Sequence, residues 1–298
     1  MVNSTTFDCE VITPMFLNGA DGENPELRSA SFKGVMRFWW RAMHGNLDLD
    51  ELRKMEGRIF GSVDEPAQKS RVGVRILNRK IVECKYRPLP HSETKTFQNF
   101  SIAPGYSFRL ALVERGSSDS IGLDIENFFL LVSILGGFGK RSRRGFGSIQ
   151  VIKINDQKPF ETSLDSINRL LSAVNRAGGY AVNPGENAIE SGFTSTNQFP
   201  YIEKIAIGSP CVKMDDLLIK IGNASHNNDC YYTGFQEGKN RFASPIYVSI
   251  IKQNNAYRPV VTTLHHQFDP SYDPVTSPYG NSMKKMNKAD TFVREVLA

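Results

Sequence analysis

The 298-residue sequence predicts an α+β fold built as two successive halves, and three observations carry that prediction. Short runs that alternate apolar with polar residues mark strands. Two apolar segments, 29–44 and 121–135, have the spacing and composition of helices. In the first half the elements follow the order β-α-β-β-α-β, which implies antiparallel sheets with helices on one face.

Phe7 to Thr13 alternates as a strand, and Thr13-Pro14 with Gly19-Ala-Asp-Gly22 turns the chain away from it. Ser29 or Ser31 is placed to cap a helix in which Phe32, Val35, Met36, Trp39 and Met43 form an apolar stripe, and Gly45 ends it. A second helix is expected over Asp50 to Ile59, then strands over Arg71 to Leu77 and Tyr106 to Glu114. Ile121 to Leu135 begins with Asp124 and Glu126 and becomes almost wholly apolar, which fits a buried helix behind a sheet. The stretch from Gly136 to Gly147 breaks that helix, and Ser148 to Ile154 alternates as a strand. This order is that of a split-βαβ, ferredoxin-like module with an additional helix in its first crossover.

The second half predicts a helix over Ser163 to Ala177, strands near Tyr201 to Ile207, Pro245 to Lys252 and Tyr257 to Leu264, and a helix around Lys213 to Ile221. It reads as a degenerate second copy, giving modules over 1–158 and 159–298 with the boundary inside 150–165. Residues 178–200, 222–243 and 268–282 read as long surface loops.

With 40% hydrophobic and 22% charged residues the composition is that of an ordinary globular chain, which excludes disorder. Cys9, Cys84, Cys211 and Cys230 are widely spaced with no Cys-x-x-Cys pair, so reduced thiols in a cytoplasmic protein are expected, with no metal site and no cofactor. No run approaches the length of an apolar membrane span, and the amino-terminal segment lacks the pattern of a secretion signal.

The net charge of +5 is modest, so clustering decides what the cations do. Lys140, Arg141, Arg143 and Arg144 lie within five residues between glycines, a pattern suited to phosphate contacts by guanidinium forks and exposed backbone N–H groups. If all four neutralise phosphates of a single strand, log K falls against log salt with a slope of about −3. A Gly-x-Gly-x-x-Gly fingerprint must follow a strand and open a helix, whereas the stretch from Gly136 to Gly147 follows a helix and opens a strand, which excludes the dinucleotide and P-loop geometries. Phe146 in Arg144-Gly-Phe-Gly147 is a candidate for stacking on a base. On the first helix, Lys33, Arg37 and Arg41 recur at i, i+4 and i+8, bordered by Trp40 and His44 as stacking and phosphate-binding candidates. No histidine or carboxylate pattern marks a catalytic centre, so no catalytic residue is assigned.

Several segments together carry a resemblance: Thr13-Pro14, Gly19-Ala-Asp21, Glu26-Leu-Arg28, Ser31 to Arg41 with its Phe-Trp-Trp-Arg ending, Glu56 to Gly61, the glycine-arginine stretch and Arg241 to Pro245. In this order they resemble the first RAMP-family subunit of type III-B (Cmr) CRISPR effector complexes, although Asn18 stands where that pattern has glycine. The resemblance implies tandem ferredoxin-like, RRM-related modules and a non-enzymatic RNA-binding subunit near the 3′ end of the guide. The implied partners are CRISPR guide RNA, single-stranded target RNA and other RAMP subunits, with the chain monomeric within its complex. Carried onto this sequence, the resemblance nominates Lys33, Arg37, Trp40, Arg41, Lys140, Arg141, Arg143 and Arg144, and His44 and Phe146 from the residue pattern complete the ten expected RNA contacts. A metal-independent RAMP endoribonuclease using a histidine, and a scaffold that contacts only protein, are the competing readings.

Overall fold

Alternation along β1 (Val2–Val11) sets the first sheet: Phe7, Cys9 and Val11 are at most 1% exposed, whereas Asp8 and Glu10 lie on the more open face. The computed structural model describes residues 2–64, 67–77, 80–116, 123–193, 199–237, 240–265 and 282–298. With β2 (Val72–Ile76), β5 (Ser107–Arg115) and β6 (Ile149–Ile154), β1 forms an antiparallel sheet of order β2-β5-β1-β6. That is the ferredoxin-like order, in which the third strand of the motif inserts beside the first. A separate hairpin, β3 (Glu83–Tyr86) with β4 (Asn99–Ile102), is inserted between β2 and β5.

The helices of this half are α1 (Ser29–Met43), α2 (Leu49–Phe60) and α3 (Ile125–Leu135). Neither expected serine caps α1. The carbonyl of Arg28 accepts from the N–H groups of Ser31 and Phe32, so both serines fall inside the first turn and Arg28 is the cap residue. α2 is capped by Asp48, whose side chain accepts from the Glu51 N–H at 2.8 Å. In α3 every residue from Phe128 to Leu135 is buried, because the helix lies between the first sheet and the second half of the chain.

The second half opens with α4 (Leu164–Val174), whose Ser163 and Ser166 form a reciprocal capping box. A five-stranded antiparallel sheet follows, of order β12-β13-β9-β8-β7. Its strands are β7 (Tyr180–Asn183), β8 (Ala188–Ser191), β9 (Ile202–Ile207), β12 (Ile246–Gln253) and β13 (Ala256–Leu264). α5 (Met214–Asn227) follows β9, and α6 (Ser282–Leu297) follows β13. The succession β9-α5-β12-β13 repeats the ferredoxin-like order, and β8 occupies the edge beside β9 where the last strand of that motif would lie. Asn254 and Asn255, both at positive φ, make the two-residue turn between β12 and β13.

Two of the expected surface loops are structured. Residues 178–200 hold the β7–β8 hairpin, whose Ala188 and Ile189 are fully buried. Within 222–243, α5 continues to Asn227 and a small hairpin joins β10 (Phe235–Glu237) to β11 (Asn240–Phe242). Of the third, 268–282, all but Ser282 lies outside the described residues, as do positions 121 and 122 of the expected buried helix.

Both hydrophobic clusters draw on both halves of the chain. One joins Phe7, Trp39 and α3 to Ile167, Ile205 and Val260; the other joins Ile12, Phe16 and Phe146 to α5, β12 and α6. Among the described residues no helix is long and apolar enough to cross a membrane.

Candidate nucleic-acid interface

Helical spacing places Lys33, Arg37 and Arg41 on one face of α1, about a third of a turn from the buried stripe. That face turns toward α2, where Glu56, only 5% exposed, meets both guanidinium groups. Arg37 Nε donates to Glu56 Oε1, and Arg41 Nε lies 3.6 Å from Oε2. Both arginine side chains remain 43% exposed, so one buried carboxylate orients two forks whose outer N–H groups face solvent. Lys33 extends the row and loses some basicity through burial and then through the charges of Arg37 and Arg115. Arg115, exposed at the end of β5, therefore belongs to the same cationic face. Sequence reasoning missed Arg115 because it reaches that face across the sheet.

Trp40 and His44 do not border the stripe as stacking groups. Trp40 is 1% exposed and stacks on His44 with ring centroids 4.2 Å apart. The His44 ring holds the Trp40 carbonyl through Nδ1 at 2.7 Å. Residues of the second half close over this end of α1: Asn175 and Tyr180 both donate to the Met43 carbonyl, at 2.9 and 3.2 Å. Burial pulls the His44 pKa down, against smaller upward effects from its backbone hydrogen bonds.

The glycine-arginine stretch has a different geometry from the phosphate-tracking surface loop expected of it. Buried Thr13 staples its base: Thr13 Oγ1 donates to the Gly145 carbonyl at 2.6 Å and accepts from the Ser148 N–H at 3.0 Å. The loop then pairs with β12, the Gly145 N–H donating to the Val248 carbonyl at 2.7 Å and the Val248 N–H to the Arg143 carbonyl at 3.2 Å. Gly145 sits at φ +82 with Leu218, Ile221 and Ile250 about it, and a Cβ at Gly147 would lie 2.0 Å from the Phe138 carbonyl oxygen. Only glycine permits these close approaches.

This placement commits most of the loop's side chains to the seam between the two halves. Arg144 Nε donates to Ser225 Oγ at 2.9 Å, and Nη1 donates to Ser244 Oγ and the Ile246 carbonyl at 3.2 and 3.1 Å. Its Nη2 donates to the Thr233 carbonyl, and its guanidinium lies 4.9 Å from the Phe292 ring centroid. Burial, followed by the charges of Arg141 and Arg143, pushes its pKa down to about 10, so it stays charged at neutral pH. Arg143 donates to the Ser244 carbonyl and lies over the Tyr247 ring at 4.6 Å. Phe146, 1% exposed, fills the second core cluster between Phe16 and α5 and cannot stack on a base there. Lys140 remains exposed beside the Gly22 carbonyl, and Arg141, held at φ +61, lines a pocket at the seam.

The predicted sites thus form two regions and no single cleft. The α1 cations face α2 and the end of β5, whereas the pocket lined by Arg141, Arg143 and Arg144 includes none of them. Of the ten expected contacts, Lys33, Arg37, Arg41, Lys140 and Arg141 keep groups free for a ligand. Trp40, His44, Arg143, Arg144 and Phe146 are held in internal packing.

The RAMP superfamily pattern matches residues 8–150, from β1 through the glycine-arginine stretch into β6. The Cmr subunit Cmr1-2 of the CRISPR system of Pyrococcus furiosus is 37% identical over 177 residues, a match covering 49% of this chain and 93% of that protein. The chain belongs to the Cmr1 family of RAMP proteins. Within the family, subunit Cmr1-1 of the same organism is 34% identical over 170 residues, covering 51% of this chain and 48% of the relative. The fold agrees with the crystal structure of Pyrococcus furiosus Cmr1 in its apo form, at a TM-score of 0.60 and 20% identity over 91% of this chain and 90% of that one. It also agrees with a chain of the type III-B Cmr-beta complex bound to cognate target RNA, at a TM-score of 0.61 and 13% identity over 98% and 99%.

Proposed function

We propose that this chain is a non-catalytic subunit of a type III-B CRISPR ribonucleoprotein that holds the backbone of guide or target RNA near the guide 3′ end. The observation that carries the reading is the cationic face of α1, where buried Glu56 fixes Arg37 and Arg41 with half-open guanidinium groups and Lys33 and Arg115 extend the row. Such a face contacts phosphates without reading bases, which suits a complex whose sequence specificity comes from guide–target pairing. The names of the relatives, as Cmr subunits of a CRISPR system, support membership of such a complex. Other RAMP subunits would then be its protein partners.

The test is a salt titration of single-stranded RNA binding followed by fluorescence anisotropy. Lys33→Gln with Arg115→Gln leaves the Glu56 pairs intact and should make the slope of log K against log salt shallower by about 1.4, at about 0.7 per phosphate contact. An unchanged slope in the folded double variant overturns this assignment. His44, 5% exposed and bonded to the Trp40 carbonyl, is closed to substrate and is not the proton-exchanging histidine that the endoribonuclease reading requires. Labelled RNA should be recovered intact after incubation with the purified chain.

A further inference from the structure

The inserted hairpin of β3 and β4 ends in residues 93–100, which are exposed throughout, so its position depends on how the chain before them is held. Residues 86–92 provide that hold by lying along α5. Tyr86 Oη donates to Asp215 Oδ1 at 2.5 Å, and its ring packs on the second hydrophobic cluster, 6.0 Å from that of Phe146. Arg87 donates to the Ser92 carbonyl and closes the turn between them. Within that turn His91 packs against Gly222, and its ring lies 5.9 Å from that of His226. At 3.6 residues per turn, positions 215, 222 and 226 fall within about 40° on one face of α5.

The contact at Gly222 is a knob seated in a hole. A Cβ there would come within 2.2 Å of His91 Nδ1. Glycine is unfavourable in a helix interior, and here the missing side chain is what admits the imidazole. The seat accepts only the neutral ring, because Nδ1 is sealed from solvent and has no hydrogen-bond partner. A neutral imidazole can carry its proton on Nε2 and turn a bare nitrogen toward the Gly222 methylene. The imidazolium must place an N–H there with no acceptor.

The charges around the ring act in the same direction. Arg141 faces His91 from the glycine-arginine loop, His226 from the end of α5 and Arg87 from the turn itself. Arg143 and Arg144 line the same side of the seam. Asp229, the carboxylate of the group, faces Lys288 of α6, Arg144 and His226 instead of His91. Burial first, and these charges second, hold His91 below the ordinary histidine range.

We infer that residues 86–92 form a pH-sensitive latch: with His91 neutral they hold the inserted hairpin on α5, and protonation of His91 expels the ring from Gly222 and frees the hairpin. Once released, the ring meets water and regains its ordinary affinity for a proton, so acid favours the open form. From about pH 6.5 down to the pKa of the seated ring, the ratio of closed to open falls by up to about tenfold per pH unit. Above that window the latch stays closed. It sets the hairpin against the second half of the chain independently of the cations on α1.

The test follows the intact chain by NMR with labelled histidine and glycine. At neutral pH a nuclear Overhauser contact should join the His91 ring to the Gly222 Cα protons, and it should fade in step with His91 protonation while contacts between β12 and β13 persist. Gly222→Ala fills the seat, so His91 should then titrate in its ordinary range and the contact of Tyr86 with α5 should be lost at every pH. The double variant His91→Ala with Gly222→Ala separates a filled seat from a damaged helix. Without the ring, Gly222→Ala should leave the melting temperature unchanged or raised; with the ring it should lower it. A single variant that fails to fold beside a double variant that folds supports the seat. Protonation of His91 with the Gly222 contact intact overturns the switch, as does loss of that contact only when the β12–β13 contacts vanish too. Equal losses of melting temperature on Gly222→Ala with and without the ring overturn the seat itself.

Discussion

Arg144 separates the two roles open to the glycine-arginine loop, because one substitution has opposite consequences under them. As an RNA contact it would contribute about 0.7 to the salt slope and little to stability. The structure instead makes it a clasp between the loop, Ser225 at the end of α5, Thr233, and the Ser244–Ile246 segment entering β12. In Arg144→Met the Ile246 carbonyl keeps the Ser244 hydroxyl as a donor at 2.9 Å, whereas the Thr233 carbonyl and Ser225 Oγ lose the bonds from Arg144. Leaving the fully buried Thr233 carbonyl unpaired costs about 1–3 kcal/mol, half-buried Ser225 adds less, and freeing the protein from desolvating a guanidinium offsets part of the sum. The expected destabilisation is about 2–4 kcal/mol. With an unfolding entropy of about 2.1 cal/mol/K per residue over 298 residues, the midpoint falls by about 5 °C. Thermal unfolding followed by circular dichroism measures it, and anisotropy on the folded variant should return the wild-type salt slope. A melting point within about 1 °C of wild type, or a loss of about 0.7 from the slope, refutes the clasp.

Two further outcomes follow from buried groups. Glu56→Gln removes the negative charge between Arg37 and Arg41 and so should steepen the RNA salt slope by up to about 0.7 while lowering stability in chemical denaturation by about 1–3 kcal/mol; an unchanged slope would show that these arginines do not meet phosphate. His44 has a folded-state pKa depressed by burial, so below about pH 6.5 the unfolded chain binds more protons than the folded one. Stability should therefore decline as pH falls from there through the folded pKa, and His44→Gln should flatten that part of the profile; superimposable wild-type and variant profiles would contradict it.

The elements that show clearly in the sequence are those whose signal is local. The apolar stripe of α1, the nearly unbroken apolar run of α3 and the alternation along β1, β6, β12 and β13 each express a single helix or strand period. The short strands β7 and β8, four residues each, carry too little periodicity and sit among glycine and asparagine, so they resemble loop. The cationic row at i, i+4 and i+8 was legible for the same local reason, and the segments marked by family resemblance proved to be structurally coupled: Thr13 and Ser244 both hold the glycine-arginine loop.

Charge and aromatic patterning could not show which cations stay free. Lys140, Arg141, Arg143 and Arg144 look equivalent along the chain, yet the acceptors that engage the last two lie at 225–246, about a hundred residues away. Trp40 and Phe146 likewise look like stacking groups until packing from the second half closes over them. The sequence by itself determined the two ferredoxin-like halves, the family and the cationic face of α1, because backbone periodicity and side-chain spacing are properties of neighbouring residues. Only the tertiary structure decided that Arg143 and Arg144 clasp the halves together while Arg141 meets His91 and His226 in a pocket, since burial and partner choice depend on residues brought together only when the chain folds.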